Sequence, residues 1–281
     1  MSPKLKIGLL VSGHVVAGLV LARGTLRETA LTPVFPSFPI AMFGLFALVF
    51  AEAGLIGIWG GLSSTRPLWR ILATCAATGY IGGIQVTAMR ITEKSILFLI
   101  IALTSSTILV VLSGLRLSRR KLRLANLVNE PMASEGFQFS LWHLFLATTA
   151  VAVLLAIGRG MPPISSPRAK DLLVSAIFPP CLIMVELATL WAALGIGRAT
   201  SRLVVVVPTA FIVGMMPMFL VDPASGGRIL LWSVIVGVQA IITACSLLVV
   251  RSCGWRLVSG AGGVADEQPD GIESLPQPPS P

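Results

Sequence analysis

Two glutamates, Glu52 and Glu186, lie inside stretches of the chain that are otherwise strongly apolar. A carboxyl in such a setting is costly, and by default it marks a proton carrier, an ion ligand or the counter-charge of a buried cation. Two histidines, His14 and His143, also fall within apolar runs and could relay protons with the glutamates. The hydroxyls of LTSSTIL at 103–109, Ser105 and Ser106 among them, and the amide of Gln239 could line a polar path. Each has a plainer role. A buried acid can be a structural partner for an arginine, hydroxyls usually bond their own helix or a neighbour, and histidines pack at helix contacts.

A second constellation repeats. Residues 58–71 read IWGGLSSTRPLWRI and residues 190–203 read LWAALGIGRATSRL. Trp59, Leu62, Arg66 and Arg70 match Trp191, Leu194, Arg198 and Arg202 at one offset, in the pattern W-x-x-L-x-x-x-R-x-x-x-R. A Trp ring suits the membrane interface, and an arginine that ends an apolar run can snorkel toward water or lipid phosphate. The unit reads as an interfacial turn facing the cytoplasm. Glu52 and Glu186 precede their tryptophans by unequal spacings, roughly 10 and 7 Å of helix rise. The two carboxyls therefore point from different helix faces, which argues against a symmetric ion site.

The elements that position these residues follow from composition. The chain of 281 residues is 55% hydrophobic and 12% charged, half the charge of an ordinary soluble domain. Several runs of about 20 residues are nearly free of charge, the signature of spanning helices. Eight spans are expected, near 7–22, 40–60, 71–89, 95–115, 141–158, 172–196, 203–221 and 229–250. The sixth carries Pro179-Pro180, where a kink or break is expected. The net charge of +9 reads as loop asymmetry, not nucleic-acid binding. With the N-terminus inside, thirteen basic residues fall on inner segments and eight on outer ones. Both termini are thus expected in the cytoplasm of a bacterial inner-membrane protein. The run RLSRRKLRL at 116–124 supplies much of the bias and could touch anionic lipid heads.

The fold class read from this is all-α: a polytopic transmembrane bundle of two diverged, parallel four-span repeats. The halves cover 1–122 and 141–256, joined by a cytoplasmic connection at 123–140. A second match, VVLSGLRL at 110–117 with VVRSCGWRL at 249–257, supports the duplication. Four spans per half keep one orientation, so the halves would share an axis along the membrane normal. Residues 257–281 are acidic and Pro-rich at the end and read as a disordered tail. Gly57 and Gly61, and Gly79 and Gly83, have the spacing of close helix contacts. The four cysteines are scattered and read as packing residues. No cofactor motif, P-loop, zinc-protease helix or nucleophile elbow is present in the sequence.

The segment FQFSLWHLFLATTAVAVLLAIGR at 137–159, with the later W-x-x-L-G-x-G-x-x-x-x-R-L and G-W-R-L, resembles a pattern recurrent in multi-span membrane proteins of planctomycete-type bacteria. The resemblance covers mainly the second half. It implies a multi-span bundle and carries no particular activity. The function expected from the sequence is a non-catalytic membrane component or partner-binding scaffold. A small-solute or ion transporter with a polar path between the halves is the alternative. An intramembrane enzyme ranks last, to be revived if histidine and glutamate side chains converge.

Overall fold

A computed structural model describes residues 2–31, 40–62, 66–81, 94–117, 122–126, 167–195, 198–221 and 226–259. The described residues are almost entirely helical. The helices are α1 (Pro3–Leu31), α2 (Ile40–Leu62), α3 (Pro67–Tyr80), α4 (Lys94–Leu117), α5 (Pro167–Leu194), α6 (Ala199–Val221) and α7 (Gly226–Ser252). Two short strands, β1 (Leu122–Asn126) and β2 (Trp255–Ser259), follow α4 and α7. Five of the helices are long and apolar enough to cross a bilayer: α1, α2, α5, α6 and α7. The 23 residues of α2 rise about 35 Å against a hydrocarbon layer of about 30 Å. The fifth expected span, 141–158, and the distal part of the third lie outside the described residues.

The bundle is built around α2 and α5. Helices α4 and α7 each pack against both of them, α3 packs on α2 and α4, and α6 on α5 and α7. Helix α1 packs on α2 and α7. Its other faces carry exposed Leu5, Leu9, Val16 and Val20, as suits a lipid-facing helix. Close approach is bought with small residues. A Cβ at Gly57 would lie 2.8 Å from the Ser105 carbonyl oxygen, and one at Gly61 would meet Leu112. The Gly57 and Gly61 spacing therefore lines the seam between α2 and α4, whereas no described atom lies within 4 Å of where a Cβ at Gly79 would stand. Helix α5 continues through Pro179 and Pro180.

One end of the bundle gathers several chain segments. Lys6 Nζ donates to the Ser252 carbonyl at 3.2 Å and to its hydroxyl at 3.3 Å, joining the start of α1 to the end of α7. Arg251 Nη1 donates to the carbonyls of Ala193 and Gly195 at 2.7 and 2.8 Å, satisfying the open C-terminus of α5. Gly254, at φ 90°, makes the turn from α7 into β2. Strand β2 then pairs antiparallel with β1, Leu124 opposite Leu257. The strands are a small addition to the expected all-α bundle. They are short, and β2 uses Leu257 to Ser259, residues that the composition alone assigns to the tail. Strand β1 likewise opens the expected 123–140 connection. Since α5 rises about 40 Å over its 28 residues, its start lies at the opposite end from β1.

Apolar packing divides between the two ends. Phe46, Phe50, Phe178 and Trp232 form an aromatic cluster joining α2, α5 and α7, with ring centroids as close as 4.7 Å. Toward the β-strands, Ile58, Leu62, Leu190, Leu194 and Leu257 share a second cluster.

Candidate functional site

The expected site residues separate into distinct environments. Glu186 on α5 is fully enclosed. Gln239 Nε2 donates to its Oε1 at 2.6 Å and Thr243 Oγ1 donates to the same oxygen at 3.0 Å. Both donors lie on α7 one turn apart, so helical periodicity brings them to a single acceptor. The other carboxyl oxygen, Oε2, lies over Gly54 of α2, where a Cβ would stand 2.5 Å away. Among the described residues, Glu186 Oε2 and Gln239 Oε1 are enclosed without a hydrogen-bond partner. The site thus ties α2, α5 and α7 through the Glu186 carboxyl.

Glu52 turns elsewhere. Its Oε1 lies 3.5 Å from His14 Nδ1 of α1. The other ring nitrogen, Nε2, is 2.9 Å from Ser246 Oγ of α7. Ser246 also stands 2.9 Å from the carbonyl of Ile242, one turn back on its own helix. Unequal spacing of the glutamates from their tryptophans foretold divergent faces. It did not foretell that His14 would meet Glu52. His143 lies outside the described residues. Ser246 escaped the sequence reading, although Gln239, Thr243 and Ser246 fall at i, i+4 and i+7 on α7. That polar stripe meets Glu186 through Gln239 and Thr243 and His14 through Ser246, and its spacing was the available signal.

The remaining hydroxyls also part. Ser105 is buried and donates to the Ala53 carbonyl at 3.0 Å, bracing α4 on α2. Ser106 is exposed on the other side of α4.

At the interfacial turns, α2 ends at Leu62 and α5 at Leu194, while α3 begins at Pro67 and α6 at Ala199. In each copy the first arginine precedes the next helix and the second lies in its first turn. Arg66 and Arg198 are exposed. The second arginines act differently. Arg70 Nη1 donates to the Gly61 carbonyl at 3.3 Å, whereas the Arg202 guanidinium lies 4.5 Å over the Trp191 ring. Trp59 remains half exposed. Among the described residues no group of three His, Cys, Asp or Glu could hold a metal ion.

The class defined by this fold is a multi-span α-helical membrane protein. No family model matches the chain, and searches of curated proteins and of solved structures likewise find no match.

Proposed function

We propose that this chain is a bacterial inner-membrane scaffold of eight spans, two parallel four-span halves, with both termini in the cytoplasm. The carrying observation is the enclosure of Glu186, hydrogen-bonded by Gln239 and Thr243 and closed over by Gly54. An enclosed hydrogen-bonded network that joins three central helices is a packing device, because an open conduit would leave these groups in contact with water. The duplication draws support from the matched ends of α2 and α5 and from the matched starts of α3 and α6. It also draws support from Ile58 with Leu190, and Leu62 with Leu194, at one offset within one cluster. Eight spans supply the odd number of crossings needed between β1 and the start of α5. The basic end, with Lys6, Arg66, Arg70, Arg198, Arg202, Arg251 and Arg256, would face the cytoplasm and meet acidic lipid heads or protein partners.

The transporter alternative has one observation in its favour, the stripe of Gln239, Thr243 and Ser246 that meets Glu186 and His14. Charged thiol reagents separate the readings. A cysteine at position 186, in proteoliposomes, is expected to resist a small membrane-impermeant methanethiosulfonate from either side, and the vesicles are expected to hold an imposed ion or pH gradient. Labelling of that cysteine together with wild-type leakage would establish a conduit. A cysteine at Ser201 tests orientation, and labelling from outside the cell would reverse it.

A further inference from the structure

We propose that the crevice between α1 and α7 holds one phospholipid with an acidic headgroup, its phosphate at Lys6 and an acyl chain along Leu9, Leu10 and Val249. The proposal rests on the reading that the basic end of the bundle lies in a headgroup layer. It holds equally for a scaffold and for a transporter.

Helices α1 and α7 meet at two polar contacts and part between them. At the bundle end, Lys6 Nζ donates to the Ser252 carbonyl and hydroxyl at 3.2 and 3.3 Å. Deeper in, His14 Nε2 lies 2.9 Å from Ser246 Oγ. The two contacts are separated by about 12 Å of rise along α1 and about 9 Å along α7. Between them lies a crevice of about 360 Å³, lined by Lys6, Leu9, Leu10, Val249 and Ser252. Gly13 falls on the same face of α1, one turn beyond Leu9 and Leu10. No described atom lies within 4 Å of where its Cβ would stand, so that face leaves a chain room to run on past Leu9.

The lining selects an acyl chain. Leu9 is more than half exposed, as are Leu5, Val16 and Val20 on the same helix, so the crevice opens sideways toward hydrocarbon. Its walls below Lys6 and Ser252 are the aliphatic side chains of Leu9, Leu10 and Val249. Water in such a gap would lack the two to four polar partners that hold an ordered molecule. A methylene chain needs none.

The mouth selects the headgroup. An ammonium has three donors, and Ser252 accepts two of those of Lys6, which leaves the third for a phosphate oxygen. Ser252 is the last residue of α7, at the depth where chain and headgroup join. Arg251 precedes it, and Arg256 Nη1 reaches back to the Arg251 carbonyl at 2.7 Å, so three cations gather at this corner. An acidic lipid answers that charge, whereas a zwitterionic one brings a further cation into it. A lysine that only capped α7 would account for the two bonds to Ser252, but not for the gap between the helices beneath them.

The test uses full-length protein in nanodiscs with trace phosphatidylglycerol or phosphatidylcholine, each carrying a diazirine on the upper part of one acyl chain. Peptide mass spectrometry locates the photoadducts. Adducts of the phosphatidylglycerol probe are expected to concentrate on Leu9, Leu10 and Val249, about fivefold above those of the phosphatidylcholine probe. Lys6→Gln should remove that preference and Lys6→Arg should keep it. Val249→Trp fills the crevice and should lower labelling by both probes; should it not fold, the wild-type adduct map decides alone. Equal labelling by the two probes in folded wild-type protein overturns the proposal. So do adducts spread as densely over exposed Leu72 of α3 and Phe219 of α6 as over the crevice. A Lys6→Gln variant that melts lower yet keeps the wild-type preference makes Lys6 a helix cap only, and overturns it too. The adduct map does not depend on which side the basic end faces, which the cysteine at Ser201 reports, so the orientation and the lipid site can fail separately.

Discussion

Gly54 and Glu186 stand at the repeat offset from one another and also touch, the carboxyl of one lying over the backbone of the other. In the proposed duplication, counterparts that also meet would lie close to the axis relating the halves. Whatever their origin, the Glu186 carboxyl fits only because position 54 carries no side chain. Gly54→Ala is expected to destabilise the bundle by about 1–3 kcal/mol through overpacking, read as a lower melting temperature in detergent. The pair Gly54→Ala with Glu186→Ala should cost less than the sum of the single changes, because the second change vacates the space the new methyl needs. Additive losses would place the strain elsewhere.

The donors around Glu186 make a separate prediction. Glu186→Gln preserves an acceptor for Thr243 Oγ1 and a polar partner for Gln239, and should change stability by less than about 1 kcal/mol. Glu186→Ala leaves both donors enclosed without their acceptor and should cost about 1–3 kcal/mol. Chemical unfolding in mixed micelles measures the difference. Equal effects of Gln and Ala would mean that the carboxyl is hydrated and not a clamp.

Much of this architecture is legible in the sequence, because a bilayer demands apolar length and places basic residues at its edges. The runs around Ala41 to Leu62 and Gly226 to Ser252 declare themselves in that way. Glu186 is legible too, as a carboxyl without nearby charge. Its partners are less so, since Gln239 and Thr243 are recognisable as one face of a helix but not as the face turned toward α5. The meeting of His14 with Glu52 and Ser246 depends on where α1 docks. Nothing local to residues 7–22 encodes that, because an apolar helix surface suits lipid as well as protein. The strand pairing was hidden for another reason: five-residue strands formed by segments far apart in sequence leave no periodic signal of their own.

Arg251 offers a prediction about the basic end. Its guanidinium bridges the last turn of α5 through Ala193 and Gly195, while its own carbonyl accepts from Arg256 Nη1 at 2.7 Å. Arg251→Ala should loosen the C-terminus of α5, raising amide hydrogen exchange at 192–195 by at least several-fold. Arg251→Lys should recover only part of that protection, because a single ammonium matches the two carbonyls less well than the planar guanidinium. Unchanged exchange in both variants would show that water satisfies these carbonyls equally well.

The strand pair gives a test of the duplication itself. Leu124 lies opposite Leu257, and in the proposed duplication the local match LRL at 122–124 with WRL at 255–257 would make these two residues counterparts as well as partners. In an antiparallel pair around a two-fold axis, only the residue on the axis faces its own equivalent. Opposed residues in such a ladder stand about 4.5–5.5 Å apart between Cα atoms, within disulfide range. Cysteines replacing Leu124 and Leu257 should therefore cross-link within one chain under mild oxidation in membranes, seen as a reducible gel-mobility shift. Cysteines at Leu122 and Leu257, two positions out of register, should cross-link far more slowly. The reverse preference would move the axis off Leu124 and break its correspondence with the contact between Gly54 and Glu186.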